Sequence, residues 1–214
     1  MIFCMDSPTI GTIGPWHAKG YRVGLYGGSF NPIHVGHVAL AKALLHEAQL
    51  DEVWFMVSPQ NPLKVQQQLL DDQSRLHMVE LALANEPRLR PCDYEFRLPR
   101  PSYTLHTLRA LHAQWPEINF TLIIGADNWA VFDHWRGYKE ILRDYAVCIY
   151  PRRGYPITLS ALPKNVQLAN TPMFDICSTD IRRRVRESKS IEGLVPDIII
   201  SMVQQYYSHL SVDE

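Results

Sequence analysis

The chain has 214 residues, 46% of them hydrophobic and 20% charged, with a formal net charge of -1. That length suits one domain with a full-sized core, and near-neutrality removes any global electrostatic case for nucleic acid or an anionic membrane as partner. Four scattered cysteines with no C-x-x-C pair argue against a disulfide framework and against structural zinc, and point to a reducing, cytoplasmic setting. Residues 1–20, with Pro8, Pro15 and no basic segment leading into an apolar one, read as an irregular extension rather than a secretory signal. The rest, 21–214, reads as a single domain, and its longest late apolar run, Ile198-Ile199-Ile200, is far too short to span a membrane. A homo-oligomer is compatible with this composition.

The alternation Tyr21-Arg22-Val23-Gly24-Leu25-Tyr26 predicts a buried strand, and residues 38–45 predict a helix. Between them lies Gly27-Gly28-Ser29-Phe30-Asn31-Pro32-Ile33-His34-Val35-Gly36-His37. Strand, glycine-rich turn and helix together offer backbone N–H groups and a helix N-terminus to an anion. His34 and His37, three residues apart at the helix start, face the same way, so the segment predicts a polyphosphate site. It is neither G-x-G-x-x-G nor a P-loop, since no Gly-Lys-Ser/Thr follows, and it is not the H-E-x-x-H of a helical zinc site. A tight turn would explain Gly27 or Gly28 taken alone; it does not explain the whole run.

Residues 53–57, Val-Trp-Phe-Met-Val, predict a strand covered on both faces, followed by the proline-rich loop Ser58-Pro59-Gln60-Asn61-Pro62-Leu63-Lys64. Helices follow over 71–84, where Leu76, Val79 and Leu83 share a face, and over 103–115, which Pro116 stops. Residues 120–124 form the clearest central strand, and Gly125-Ala126-Asp127 comes directly after it. An aspartate there is poorly explained by packing, because burying its charge unpaired costs several kcal/mol. Strands over 145–150 and 166–168 and helices over 179–187 and 196–207 complete the chain, the last with Pro196 in its first turn. Repeated βα units predict an α/β fold, a Rossmann-like doubly wound parallel sheet with helices on both faces and ligands outside the carboxyl ends of the strands.

The run from Gly27 to His37 resembles the H-x-G-H signature of the nucleotidyltransferase superfamily. Its longer form is most similar to bacterial nicotinate-nucleotide adenylyltransferases, whose pattern is Gly-Gly-Ser/Thr-Phe-Asp/Asn-Pro-x-His-x-Gly-His. Ile176-Cys177-Ser178-Thr179-Asp180-Ile181-Arg182 resembles that family's Ile-Ser-Ser-Thr-x-Ile-Arg, with Cys177 in place of the first serine. Ser102-Tyr103-Thr104 matches its Ser-Tyr-Thr, and Leu194-Val195-Pro196 its ending. Leu63 departs from the family's Pro-His-Lys, and His106 stands where relatives carry an acid.

The resemblance implies transfer of AMP from ATP to nicotinate mononucleotide, giving deamido-NAD and pyrophosphate. It assigns catalysis to His34, His37 and Arg182. It assigns ATP binding to Gly27, Gly28, Ser29, Phe30, Gly36, Gly125, Asp127, Ser178 and Thr179, and the acceptor to Lys64, Tyr103, Thr104 and Trp135, with Trp135 as the platform for the pyridine ring. Mg²⁺ would come with ATP, bridging phosphate oxygens, with no metal site built from protein ligands alone. Relatives acting on nicotinamide mononucleotide or pantetheine phosphate share the first motif. So do cytidylyltransferases, and a non-catalytic nucleotide-binding module could keep it. Ser102-Tyr103-Thr104 and Trp135 favour nicotinate mononucleotide, and the two histidines with Arg182 favour turnover.

Overall fold

The computed structural model describes residues 19–59 and 69–208. Six parallel strands form one sheet in the order β3-β2-β1-β4-β5-β6. They are β1 (Tyr21–Gly28), β2 (Glu52–Val57), β3 (Leu89–Cys92), β4 (Ile118–Gly125), β5 (Ala146–Tyr150) and β6 (Val166–Leu168). The chain winds outward from β1 in one direction and from β4 in the other. The order therefore reverses between β1 and β4, and a crevice opens there at the strands' carboxyl ends.

Strand alternation sorts the core into two layers. Val53, Phe55 and Val57 of β2 and Ile123 of β4 face one side of the sheet, while Trp54, Met56, Leu122 and Ile124 face the other. The first layer is covered by α1 (Val35–Glu47), α2 (Asp72–Leu83), α6 (Ser178–Arg186) and α7 (Ile200–Tyr207). The second is covered by α3 (Thr104–Gln114) and α5 (Tyr138–Asp144), with the one-turn α4 (Ala126–Trp129) contributing Ala126. Each helix follows its apolar spacing: Leu40, Ala41, Leu44 and Leu45 of α1, and Ile181 and Val185 of α6, are buried. Buried Cys92 and Cys148 are held as inert thiols, burial pushing them up to about 12 and about 11.

The predicted fold class is observed, with corrections at particular elements. β3 and α5 have no counterpart among the expected elements, and α1 begins at Val35 rather than at 38. The last helix does not start at Pro196: that residue caps a 3-10 turn, Asp197–Ile199, and α7 follows it. Residues 1–18 of the expected extension lie outside the described residues, as does Lys64. Among the described residues, no helix is long and apolar enough to cross a membrane.

Candidate active site

A cavity of about 690 Å³ sits over the switch point between β1 and β4, a volume suited to a small-molecule site. Gly27 and Gly28 end β1 on its floor, and Gly125 and Tyr150 end β4 and β5 there. Arg100, Arg136, Arg152 and Arg182 line it against two carboxylates, Asp127 and Glu95, so the walls carry an excess of positive charge.

The turn after β1 is built tightly. Phe30 takes φ +43 and is 2% exposed, its ring packed edge-on against Tyr26 and His37. A left-handed backbone at a bulky residue costs about 1–3 kcal/mol and persists only where its surroundings over-determine it. They do so here. Arg75 of α2, 0% exposed, donates from Nη1 to the carbonyls of Ser29 (2.6 Å) and Ser58 (3.0 Å) and from Nε to that of Leu70 (2.9 Å). From the other side Ser178 Oγ donates to the Pro32 carbonyl at 2.9 Å, and Arg182 Nη1 to the Asn31 carbonyl at 2.7 Å. Tyr207, on the last helix, donates its hydroxyl to Asn31 Oδ1 at 2.6 Å.

The two histidines lie against this turn as a stacked pair, ring centroids 3.5 Å apart and planes 19° from parallel. His34 is the N-cap of α1. Its Nδ1 accepts from the His37 backbone N–H (3.3 Å), while His37 Nδ1 accepts from the His34 backbone N–H (3.2 Å). This is a capping box made of imidazoles. With both Nδ1 atoms accepting, the ring proton of each lies on Nε2, and both rings border the cavity. Burial, and after it the Arg152 charge, pull His34 down to about 4, so it stays neutral at pH 7. Gly36 leaves the ring pair undisturbed: a Cβ there would stand 3.1 Å from His34 Nδ1 and press on it by a few tenths of an ångström.

At the end of β4 a Cβ on Gly125 would lie 2.2 Å from Asp127 Oδ1, so only glycine lets that carboxylate turn back over the strand end. Asp127 Oδ1 is buried without a hydrogen-bond partner and stands 3.7 Å from Arg152 Nε. Arg152 stacks on Tyr150 with its guanidinium carbon 5.0 Å from the ring centre, and donates to the Tyr150 hydroxyl at 3.1 Å. At the opposite end, Ser102, Tyr103 and Thr104 lead into α3, and Trp135 is braced by buried Phe132, centroids 5.1 Å apart. Glu95 closes this wall. Its two oxygens accept from Ser58 Oγ and Thr107 Oγ1, each at 2.8 Å, while burial raises its pKa from the ordinary glutamate value.

The cavity brings together Gly27, Gly28, Ser29, Phe30, His34, His37, Tyr103, Thr104, Gly125, Asp127, Trp135, Ser178, Thr179 and Arg182. Gly36 lies just outside, on an adjoining hollow shared with the histidines. Ser102 does not cap α3; Tyr103 takes the N-cap position without a side-chain bond. Cys177, not Ser178, caps α6, its sulfur accepting from Asp180 N at 3.4 Å. His106 is exposed, its ring against Tyr103 and off the cavity wall. Arg183 and Arg184 are exposed, on the solvated face of α6. Sequence reading missed Arg75, Glu95, Arg152 and Tyr207. Only one local signal was available, Arg152 standing two residues after the strand 145–150 at the end where ligands bind.

A cytidylyltransferase-like family model matches residues 25–184. A chain of Bacteroides thetaiotaomicron named "Probable nicotinate-nucleotide adenylyltransferase" is 48% identical over 185 residues, covering 86% of this chain and 92% of that one. One of the same name from Cytophaga hutchinsonii is 42% identical, covering 88% and 99%. The Plasmodium falciparum nicotinic acid mononucleotide adenylyltransferase, solved in complex with NaAD, superposes with a TM-score of 0.72 at 18% identity, over 87% of this chain and 96% of that one. With its H-x-G-H pair at the switch point of the sheet, the chain belongs to the cytidylyltransferase-like nucleotidyltransferases, within the nicotinate-nucleotide adenylyltransferase family.

Proposed function

We propose that the protein transfers AMP from ATP to nicotinate mononucleotide, giving deamido-NAD and pyrophosphate. A 5′-phosphate oxygen of the mononucleotide attacks the α-phosphorus, the α–β phosphoanhydride bond breaks, and pyrophosphate leaves with that electron pair. No protein nucleophile is required. Phosphoryl-type transfer relies on positioning and charge stabilisation, and this cavity is built for both.

The observation that carries the reading is the reciprocal His34–His37 cap, which turns two Nε2–H donors toward the cavity without needing a charged imidazole. His37, less buried than His34, donates to the oxyanion that develops at the α-phosphorus. His34, Arg182 and Arg152 hold the polyphosphate. Backbone N–H groups of Ser29 and Phe30 and the start of α6 at Ser178 and Thr179 add donors. Gly125 and Asp127 border the nucleotide, and Trp135 offers its face to the pyridine ring beside Tyr103 and Thr104.

Mg²⁺ carried by the triphosphate would neutralise phosphate charge, and Asp127, a carboxylate of the cavity wall that faces Arg152, would be the residue to approach it. A reducing cytoplasmic setting agrees with free thiols at Cys92, Cys148 and Cys177.

The test is pyrophosphate release with ATP or CTP, each offered nicotinate mononucleotide, nicotinamide mononucleotide or pantetheine phosphate in the presence of Mg²⁺. ATP with nicotinate mononucleotide should give the highest kcat/KM. Preference for CTP or for pantetheine phosphate would overturn the assignment.

A further inference from the structure

The acceptor end of the cavity holds polar donors that the protein itself leaves unanswered. Ser102 is 7% exposed, yet its Oγ is buried without a hydrogen-bond partner, and so is Trp135 Nε1. Both residues line the cavity beside the first turn of α3, an 11-residue helix whose N-terminus carries no side-chain cap. Buried polar atoms are almost always satisfied, so the orphaned Ser102 hydroxyl in the cavity wall marks where a ligand supplies an acceptor. The acceptors on this wall are already used: both Glu95 oxygens receive hydroxyl protons from Ser58 and Thr107.

Arg136 completes the set. Its guanidinium lies 4.8 Å from the centre of the Tyr103 ring, at the N-cap of α3. It lines the cavity, and among the described residues it makes no ion pair or hydrogen bond. Other exposed arginines, such as Arg109 with Glu140 and Arg143 with Asp144, are paired. Arg136 keeps its fork of donors open while an aromatic face holds its plane.

Building on the function proposed above, we infer that Arg136 is a specificity-determining residue that reads the charge of the substituent on the acceptor's aromatic ring, selecting a carboxylate over a carboxamide. A carboxylate takes up Ser102 Oγ–H and the guanidinium with acceptor atoms alone. A carboxamide brings an NH₂ that finds donors and a cation, and such mismatched pairing is what discriminates polar groups strongly.

The experiment compares kcat/KM for nicotinate and nicotinamide mononucleotide, each with saturating ATP and Mg²⁺, in the wild-type chain, Arg136→Gln and Arg136→Lys. The expected result is a loss of about tenfold for the nicotinate acceptor in Arg136→Gln, with the nicotinamide value moving less than about twofold. The ratio of the two contracts accordingly, and Arg136→Lys, which keeps the charge, restores most of it. A parallel fall for both acceptors would overturn the inference, since the side chain would then grip the shared ribose phosphate. An unchanged ratio would overturn it equally. Wild-type protein that turns over neither pyridine nucleotide would instead defeat the proposed function itself, and the inference with it.

Discussion

Replacing His34 with asparagine separates its role as a helix cap from its titration. Asparagine is a preferred N-cap and can accept the His37 backbone N–H that His34 Nδ1 now receives. It has no proton to gain. In the wild-type chain the ring's ordinary value of 6.5 is lowered to about 4 in the fold, by burial first and by Arg152 second. Between those values the unfolded chain binds a proton that the folded chain refuses, so this ring's contribution to stability is full above about pH 6.5 and drains away as pH falls toward about 4. Linkage puts the loss between pH 7 and pH 5 at about 2 kcal/mol. Other titrating groups act on both proteins alike, so the difference isolates His34. Urea unfolding at the two pH values should show wild type losing about 2 kcal/mol more than His34→Asn. Parallel losses would mean that the ring is not held neutral, and the argument for an uncharged Nε2–H donor at this position would fall.

Two other substitutions probe the scaffold behind the histidines. Tyr207→Phe deletes the hydroxyl that reaches Asn31 Oδ1 across 176 residues of chain. It should cost about 1 kcal/mol, a Tm drop of roughly 2–4 °C. If the clamp positions the strained turn, kcat should fall several-fold with little change in KM for the acceptor, whereas full kcat alongside the lower Tm would reduce Tyr207 to a packing role. Gly125→Ala puts a methyl where Asp127 Oδ1 now lies, 2.2 Å away, and should cut kcat/KM for ATP by about tenfold or more; an unaffected ATP profile would show that Asp127 need not turn back over the strand.

The fold could be read from the sequence wherever burial is two-sided. Val53-Trp54-Phe55-Met56-Val57 and Phe120-Thr121-Leu122-Ile123-Ile124 are apolar because helices cover both faces of the sheet, and they announced themselves. β3 did not, since Leu89-Arg90-Pro91-Cys92 is short, fully buried at only two of its four residues and contains a proline tolerated only because the strand lies at the sheet's edge. α5 has seven residues and begins behind Gly137, whose φ of +74 breaks any periodic pattern.

For the site, residues that line the cavity from contiguous motifs were readable: His34 and His37 share one turn, and Ser178, Thr179 and Arg182 share another. Residues that act through the fold were not. Arg75 looks like one more surface charge on α2 until the helix is laid against the carbonyls of Ser29 and Ser58. Tyr207 belongs to a helix remote in sequence, and Arg152 gains meaning only when the end of β5 is set beside that of β4. Glu95 sits in a 3-10 turn, Tyr94–Arg97, that no apolar period marks. Local chemistry is written in short motifs, while its support comes from pairings between segments that are distant in sequence.

The central claim is that the stacked pair acts as a preorganised, uncharged donor site for nucleotidyl transfer, with His37 serving the transition state. The most direct measurement is kcat for pyrophosphate release by His37→Ala with saturating ATP, nicotinate mononucleotide and Mg²⁺, on protein whose melting curve remains cooperative. Loss of one transition-state donor predicts a fall of about a hundredfold. Turnover within about twofold of wild type, far short of what that donor supplies, would contradict the role given to this histidine.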